Sequence, residues 1–185
     1  QNDMDPDHLI KRLVYGVGTR LITSVGDPAL DGIYKLTAVQ ENGTWKPSVK
    51  ISESLEKVPN PGRKKVWRLY DKREKATADL IAQEEEDPAN MQTIELQHPF
   101  SSDKNRTLQK EDISDIEPLL VPILKNGKQV YDFPDIEKMR DMRDADIQTL
   151  DSGVKRLINP HRYHVSLSRK LWHTKQDLLQ KLKRK

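Results

Sequence analysis

Between Gly32 and Gln97 apolar and polar residues alternate with a period of two, and turn-forming residues interrupt the alternation at short intervals. This pattern constrains the fold most, because a period of two puts successive side chains on opposite faces of an extended chain, and a helix cannot satisfy it. In residues 32–39, Ile33, Lys35, Thr37 and Val39 alternate with Tyr34, Leu36 and Ala38, which reads as a strand buried on both faces. Glu41-Asn42-Gly43 is a hairpin signal, since Asn-Gly accepts the positive φ of a two-residue turn, and Val49-Lys50-Ile51 is the expected partner. Val58-Pro59-Asn60-Pro61-Gly62 reads as a loop, with two prolines fixing φ and a glycine releasing it. Residues 65–70, 76–82 and 93–97 then read as strands, the last closed by His98-Pro99. The spacing predicts an antiparallel meander of about four or five strands. Within it, Trp67 is expected on the inner face. The acidic run at 83–89 reads as a solvated loop or a short helix end.

Helical signals flank this region. At the start, Asp5-Pro6 places a cap and a first-turn proline before a short helix over 7–13, with Leu9, Ile10 and Leu13 on one face. Further on, Pro118, Pro122 and Asn126-Gly127 punctuate an apolar run read as irregular. Pro134 then opens an amphipathic helix carrying Ile136, Met139, Arg143 and Ile147. A last helix from about Ser168 sets Leu171, Lys175, Leu178 and Leu182 on one stripe and ends in cations, as the helix dipole favours.

The segment Val14-Tyr15-Gly16-Val17-Gly18-Thr19 carries the clearest chemistry. Gly16 and Gly18 lack a Cβ, so the backbone can turn tightly and approach an anion. Successive N–H groups of such a turn, with the Thr19 hydroxyl, suit a phosphate. Asn2 and Asp3 offer a second possibility, because carboxylate and amide oxygens accept from the vicinal hydroxyls of a ribose. They serve equally as local caps for the first helix, a role Asp5 fills better.

Taken in order, several segments resemble the C-terminal portion of bacterial nicotinate phosphoribosyltransferase. They are Asn2-Asp3-Met4-Asp5, Gly16-Val17-Gly18-Thr19, Pro28-Ala29-Leu30-Asp31-Gly32-Ile33-Tyr34-Lys35-Leu36, Lys50-Ile51-Ser52-Glu53, Glu56-Lys57-Val58, Pro61-Gly62-Arg63-Lys64-Lys65-Val66-Trp67-Arg68 and Asn159-Pro160-His161-Arg162-Tyr163-His164-Val165-Ser166-Leu167-Ser168. The resemblance covers most of the chain and is weakest through the acidic residues 84–92. It implies an α/β fold, mixed α+β in this portion. Residues 1–31 would close an irregular type II phosphoribosyltransferase α/β barrel, 32–98 would form an antiparallel β-rich segment against the N-terminal domain, and 99–185 a C-terminal irregular and helical extension.

The resemblance also implies an activity: nicotinate and phosphoribosyl pyrophosphate give nicotinate mononucleotide and pyrophosphate, with ATP hydrolysis coupled and Mg²⁺ required, in a cytoplasmic homodimer of NAD salvage. In it, Gly16, Gly18 and Thr19 would hold the substrate phosphate, and Asn2 and Asp3 would contact ribose or phosphate. The catalytic histidine would lie upstream, with no catalytic residue in this portion. One departure stands out. The family carries a longer helix and strand between its Asn-Asp segment and its GVGT loop, where this chain has only residues 6–15.

Composition agrees with a piece of something larger. Only 35% of residues are hydrophobic and 33% are charged, lean for a self-sufficient core in 185 residues. The first residue is Gln1 and helical periodicity begins almost at once, so the expectation is a fragment starting inside a domain. With no cysteine, disulfide scaffolds and thiolate metal sites are excluded. No apolar run approaches the roughly 20 residues that span a bilayer. The net charge of +3 comes from interleaved charges, unlike a dedicated nucleic-acid binder. Arg63-Lys64-Lys65 beside Trp67 and Tyr70 keeps open a non-catalytic nucleotide- or RNA-binding module, though a solvated surface loop explains the same residues. His161 and His164 are spaced i, i+3 without an acidic neighbour, and His8, His98 and His173 are isolated; packing or surface roles are expected over zinc, which needs converging ligands.

Overall fold

The computed structural model describes residues 7, 10–14, 34–52 and 55–183. The chain divides into two compact units, Gln1–Tyr34 and Lys35–Lys185. In the first, Asp7 and Ile10 are helical and the Lys11 N–H donates to the Asp7 carbonyl at 3.1 Å, as the short-helix reading expects.

The second unit begins with a hairpin of β1 (Ala38–Glu41) and β2 (Thr44–Pro47). Asn42 and Gly43 turn it with φ of 50° and 77°, the geometry the Asn-Gly signal predicts. Its partners differ from expectation. Register pairs Glu41 with Thr44, so the second strand follows the turn directly and Val49-Lys50-Ile51 is not in it. Nor is β1 buried on both faces, since three of its four residues are exposed.

The main sheet contains β3 (Lys64–Asp71), β4 (Ala76–Gln83), β5 (Thr93–Gln97), β6 (Asn105–Gln109), β7 (Ile113–Pro118) and β10 (Val165–Ser168). A small hairpin between them joins β8 (Leu124–Lys125) to β9 (Lys128–Gln129) across Asn126-Gly127. Strands β3, β4 and β5 lie where the alternation predicts. The order is β6-β5-β10-β4-β3-β7, which corrects the antiparallel meander. Strand β10 enters between β4 and β5, parallel to the first and antiparallel to the second. Strands β6, β7 and β10 come from residues read as irregular or helical.

One face of this sheet carries the core. Ala78, Leu80 and Ala82 of β4, Leu69 of β3, Ile94 and Leu96 of β5 and Leu108 of β6 form one buried cluster. Trp67 packs on it, as expected, and so do Ile113 and Ile116 of β7. Side chains from both edge strands therefore meet over one cluster, and the sheet curls around it.

The other face is covered by α2 (Arg169–Lys183). Ser168 caps it, accepting from the Leu171 N–H at 3.1 Å and donating to Glu86 at 2.6 Å. Its buried residues are Leu171, Lys175 and Leu179, one every four positions. The expected stripe is right at Leu171 and Lys175, but Leu179 takes the inner position and Leu182 is exposed. Helix α1 (Ile136–Thr149) is capped by Asp135, whose carboxylate accepts from the Lys138 N–H at 2.8 Å. It buries no residue, and Ile136, Met139, Met142 and Ile147 are all exposed.

Candidate functional site

The residues assigned to phosphate and ribose from sequence, Gly16, Gly18, Thr19, Asn2 and Asp3, lie outside the described residues. The other sequence candidates can be located. Arg63 pairs with Glu84 at 2.6 Å and lies 5.0 Å over the Trp45 ring. Lys64 donates to Thr37 Oγ1 at 3.1 Å and to the Gly62 carbonyl, and burial lowers the pKa of its ammonium. Lys65 stands 5.9 Å over Trp67. These cations are engaged by Glu84, Trp45, Thr37 and Trp67. Among the described residues no group of three or more His, Asp or Glu could hold a metal ion.

The strongest polar constellation joins β3, β4, α1 and the approach to β10. Arg68 lies opposite Asp79 in the β3–β4 ladder. Its guanidinium grips that carboxylate with both prongs, Nε to Oδ1 at 2.9 Å and Nη2 to Oδ2 at 3.2 Å. The Tyr163 hydroxyl donates to Asp79 Oδ1 at 2.8 Å, and Arg68 Nη1 donates to Asp146 of α1 at 2.9 Å. The hydrogen bond to Asp79 raises the Arg68 pKa further above its already high range. Burial first, and then the Asp79 carboxylate, lifts the Tyr163 phenol well above its ordinary value. Both groups therefore keep their protons at neutral pH. The cluster holds chain segments together.

A second clamp works beside it. In the β3–β4 turn, Arg73 binds Asp71 at 2.7 Å and Asp151 at 3.2 Å. Burial alone would raise the Asp71 carboxyl, but hydrogen bonds from the Arg73 side chain and the Lys75 and Arg73 N–H groups outweigh it and hold the group low. Lys75 Nζ donates to the Gln148 carbonyl at 2.8 Å, in the last turn of α1, where a cation complements the helix dipole. Arg68 of β3 and Arg73 and Lys75 of the β3–β4 turn thus pin residues 146–151 to the sheet.

Sequence reasoning missed the Arg68–Asp79 pair. The signal was present: Asp79 is a carboxylate inside the apolar run Ala76-Thr77-Ala78-Asp79-Leu80-Ile81-Ala82, and a charge there demands a partner.

Residues 63–175 match the family described as the nicotinate phosphoribosyltransferase C-terminal domain. The chain belongs to that family. Among curated relatives, nicotinate phosphoribosyltransferase of Bacillus subtilis (strain 168) is 32% identical over 171 residues, covering 92% of this chain and 34% of the relative. The Caenorhabditis elegans nicotinate phosphoribosyltransferase is 31% identical over 170 residues, 91% of this chain and 29% of the relative. This chain spans about a third of the length of these relatives. A crystal structure of human nicotinic acid phosphoribosyltransferase shares the fold, with a TM-score of 0.56 and 24% identity over 64% of this chain and 23% of that one. The family resemblance carried by the sequence segments and the mixed α/β fold are thereby borne out, and the family does not favour the RNA-binding alternative.

Proposed function

We propose that this chain is the C-terminal portion of a nicotinate phosphoribosyltransferase, an enzyme of NAD salvage. The reaction joins nicotinate to the ribose of phosphoribosyl pyrophosphate, releasing pyrophosphate, with ATP hydrolysis coupled. The observation that carries this reading is the family match over residues 63–175. The Gly16-Val17-Gly18-Thr19 segment just upstream adds the right chemistry for a phosphate.

In this reading residues 1–31 close the barrel, and backbone N–H groups around Gly16 and Gly18, with the Thr19 hydroxyl, hold the ribose phosphate. Asn2 and Asp3 contact the ribose or its phosphate. By the resemblance, residues 32–98 are the β-rich segment that packs on the N-terminal domain and 99–185 a structural extension. Holding the phosphate fixes the sugar carbon relative to the nicotinate nitrogen, and orientation of that kind lowers the barrier by avoiding the entropy of encounter. Mg²⁺, when bound, screens the departing pyrophosphate. By the family resemblance the enzyme is a cytoplasmic homodimer.

Gly18→Val tests the assignment in the complete enzyme. A branched Cβ there blocks the approach of the phosphate, so calorimetry should show loss of phosphoribosyl pyrophosphate binding with little change in melting temperature. Unchanged affinity would remove the loop from the site.

A further inference from the structure

The insertion of β10 between β4 and β5 has a chemical consequence at one end of the sheet. There the first residues of β4 and β6, the residue following β5 and the segment leading into β10 come together. Thr77, His98, Lys104, Arg106, Arg162 and His164 are gathered from these four places.

Two adjoining clefts share His164. One, of about 160 Å³, is lined by His98, Lys104, Arg106, His164 and Ser166 over the floor of Leu96, and no carboxylate lines it. Asp103 lies in the same turn but outside this lining; the Ser101 hydroxyl it accepts from, and then the nearby charges of Lys104 and His98, hold its carboxyl below the usual range. The other, of about 420 Å³, contains Thr77, His161 and Arg162; its two carboxylates, Asp71 and Asp151, are both already bound by Arg73. Arg106 Nη1 donates to Thr77 Oγ1 at 3.2 Å and links the two clefts.

Three cations at this end of the sheet, Lys104, Arg106 and Arg162, have no hydrogen-bonded carboxylate among the described residues. Arg63, Arg68, Arg73, Arg140, Arg143 and Arg169 are each bound to a carboxylate. Among the described residues the side chains of Lys104 and Arg162 make no hydrogen bond or ion pair, and Arg106 has only the neutral Thr77 hydroxyl. A guanidinium, an ammonium, imidazoles and hydroxyls form a set rich in donors. Such a set repels a cation. It suits a small, multiply charged group with many acceptor oxygens.

We propose that this strand-end cleft binds a phosphate-type oxyanion, with Arg106 and Arg162 as its charged anchors and Lys104 and His164 as further donors. The site uses residues of the described sheet alone and does not depend on the enzymatic reading. The same phosphate chemistry is supplied by an inorganic ion or by the phosphates of a nucleotide.

The test is a titration of the 185-residue chain with sodium pyrophosphate at low salt, following the histidine ring signals by NMR and the heat by calorimetry. Saturable binding is expected, with shifts at His98 and His164. In Arg106→Gln/Arg162→Gln the affinity should fall about tenfold or more, because two charge-assisted contacts are lost. Both side chains are exposed, so the melting temperature should hold; Lys104→Gln supplies a milder variant, with a smaller loss in the same direction. In Lys125→Gln/Lys128→Gln, on the β8–β9 hairpin, affinity should change by less than about twofold, the range of diffuse screening. Affinity for ATP similar to that for pyrophosphate makes the phosphates themselves the ligand, and tighter ATP binding names a nucleotide as their source. No saturable binding, equal losses in the hairpin variant, or adenosine binding as tightly as ATP would each overturn the proposal.

Discussion

Arg68 grips one carboxylate in its own hairpin and a second on α1, with Tyr163 completing the pocket around Asp79. Its removal leaves a largely desolvated carboxylate without a counter-charge. Arg68→Met should therefore cost about 3 kcal/mol of stability in urea denaturation. Tyr163→Phe deletes one hydrogen bond and should cost about 1 kcal/mol. Lys175 supplies the pH dependence. It is buried on the inner face of α2, and its Nζ donates to the Val58 carbonyl at 3.2 Å and to Asn60 Oδ1 at 2.9 Å. Burial lowers its pKa, so between the folded value and the unfolded value of about 10.4 the unfolded chain binds more protons. The penalty is complete below the folded pKa and disappears as pH rises to the unfolded one. Stability relative to Lys175→Met should accordingly increase with pH across that window; a flat or falling difference would show that the ammonium carries no burial penalty. At this scale the sequence was legible for Trp67 on the inner face and for Lys175 on the helix stripe. The Arg68–Asp79 pair could be read only by laying the two strands of the hairpin side by side.

Strands β3, β4 and β5 were legible because their side-chain alternation is local. The Asn42-Gly43 turn was legible because few residues tolerate its φ values. Strand β10 was not, and the reason is physical. Four residues, Val165–Ser168, carry too little periodicity to register, and their neighbours in the sheet lie about 70 to 90 residues away along the chain. Local pattern reports which face a residue prefers and says nothing about which strand will lie beside it. The element is nevertheless central: Leu167 is fully buried between Ile81 and Gln97. Leu167→Ala should cost about 3 kcal/mol, as for other buried leucines, measured by chemical denaturation. A cost below about 1 kcal/mol, the range of surface changes, would mean that β10 is not a core strand. Helix α1 was legible as a helix and misleading as an amphipathic one, because its apolar side chains face outward in this chain. Ile136→Ser/Met139→Ser should shift the melting temperature of the 185-residue chain very little. A large loss would place those side chains in a core.

At the scale of the whole molecule, composition and structure agree on how little this chain buries for its size. Exposed apolar residues accumulate from Leu120 to Ile158, a stretch held to the sheet chiefly by the Arg68, Arg73 and Lys75 contacts. Among the described residues the buried side chains are confined mainly to the two faces of one curled sheet, and 33% of the chain's residues are charged. The phosphate-binding residues assigned from sequence, Gly16, Gly18 and Thr19 with Asn2 and Asp3, belong to the other compact unit, outside the described residues. Glycosyl transfer requires nicotinate, ribose and pyrophosphate held together, and misplacement by about 1 Å costs on the order of 100-fold. One phosphate cradle cannot hold three groups. The decisive measurement is nicotinate mononucleotide formation from nicotinate, phosphoribosyl pyrophosphate and ATP with Mg²⁺. It compares the 185-residue chain alone with the same chain joined to the part of the Bacillus subtilis relative that it does not cover. No turnover is expected from the chain alone, and turnover is expected from the joined protein. Robust mononucleotide production by residues 1–185 alone, or none by a folded joined protein, would contradict the assignment of this chain to one part of a larger phosphoribosyltransferase.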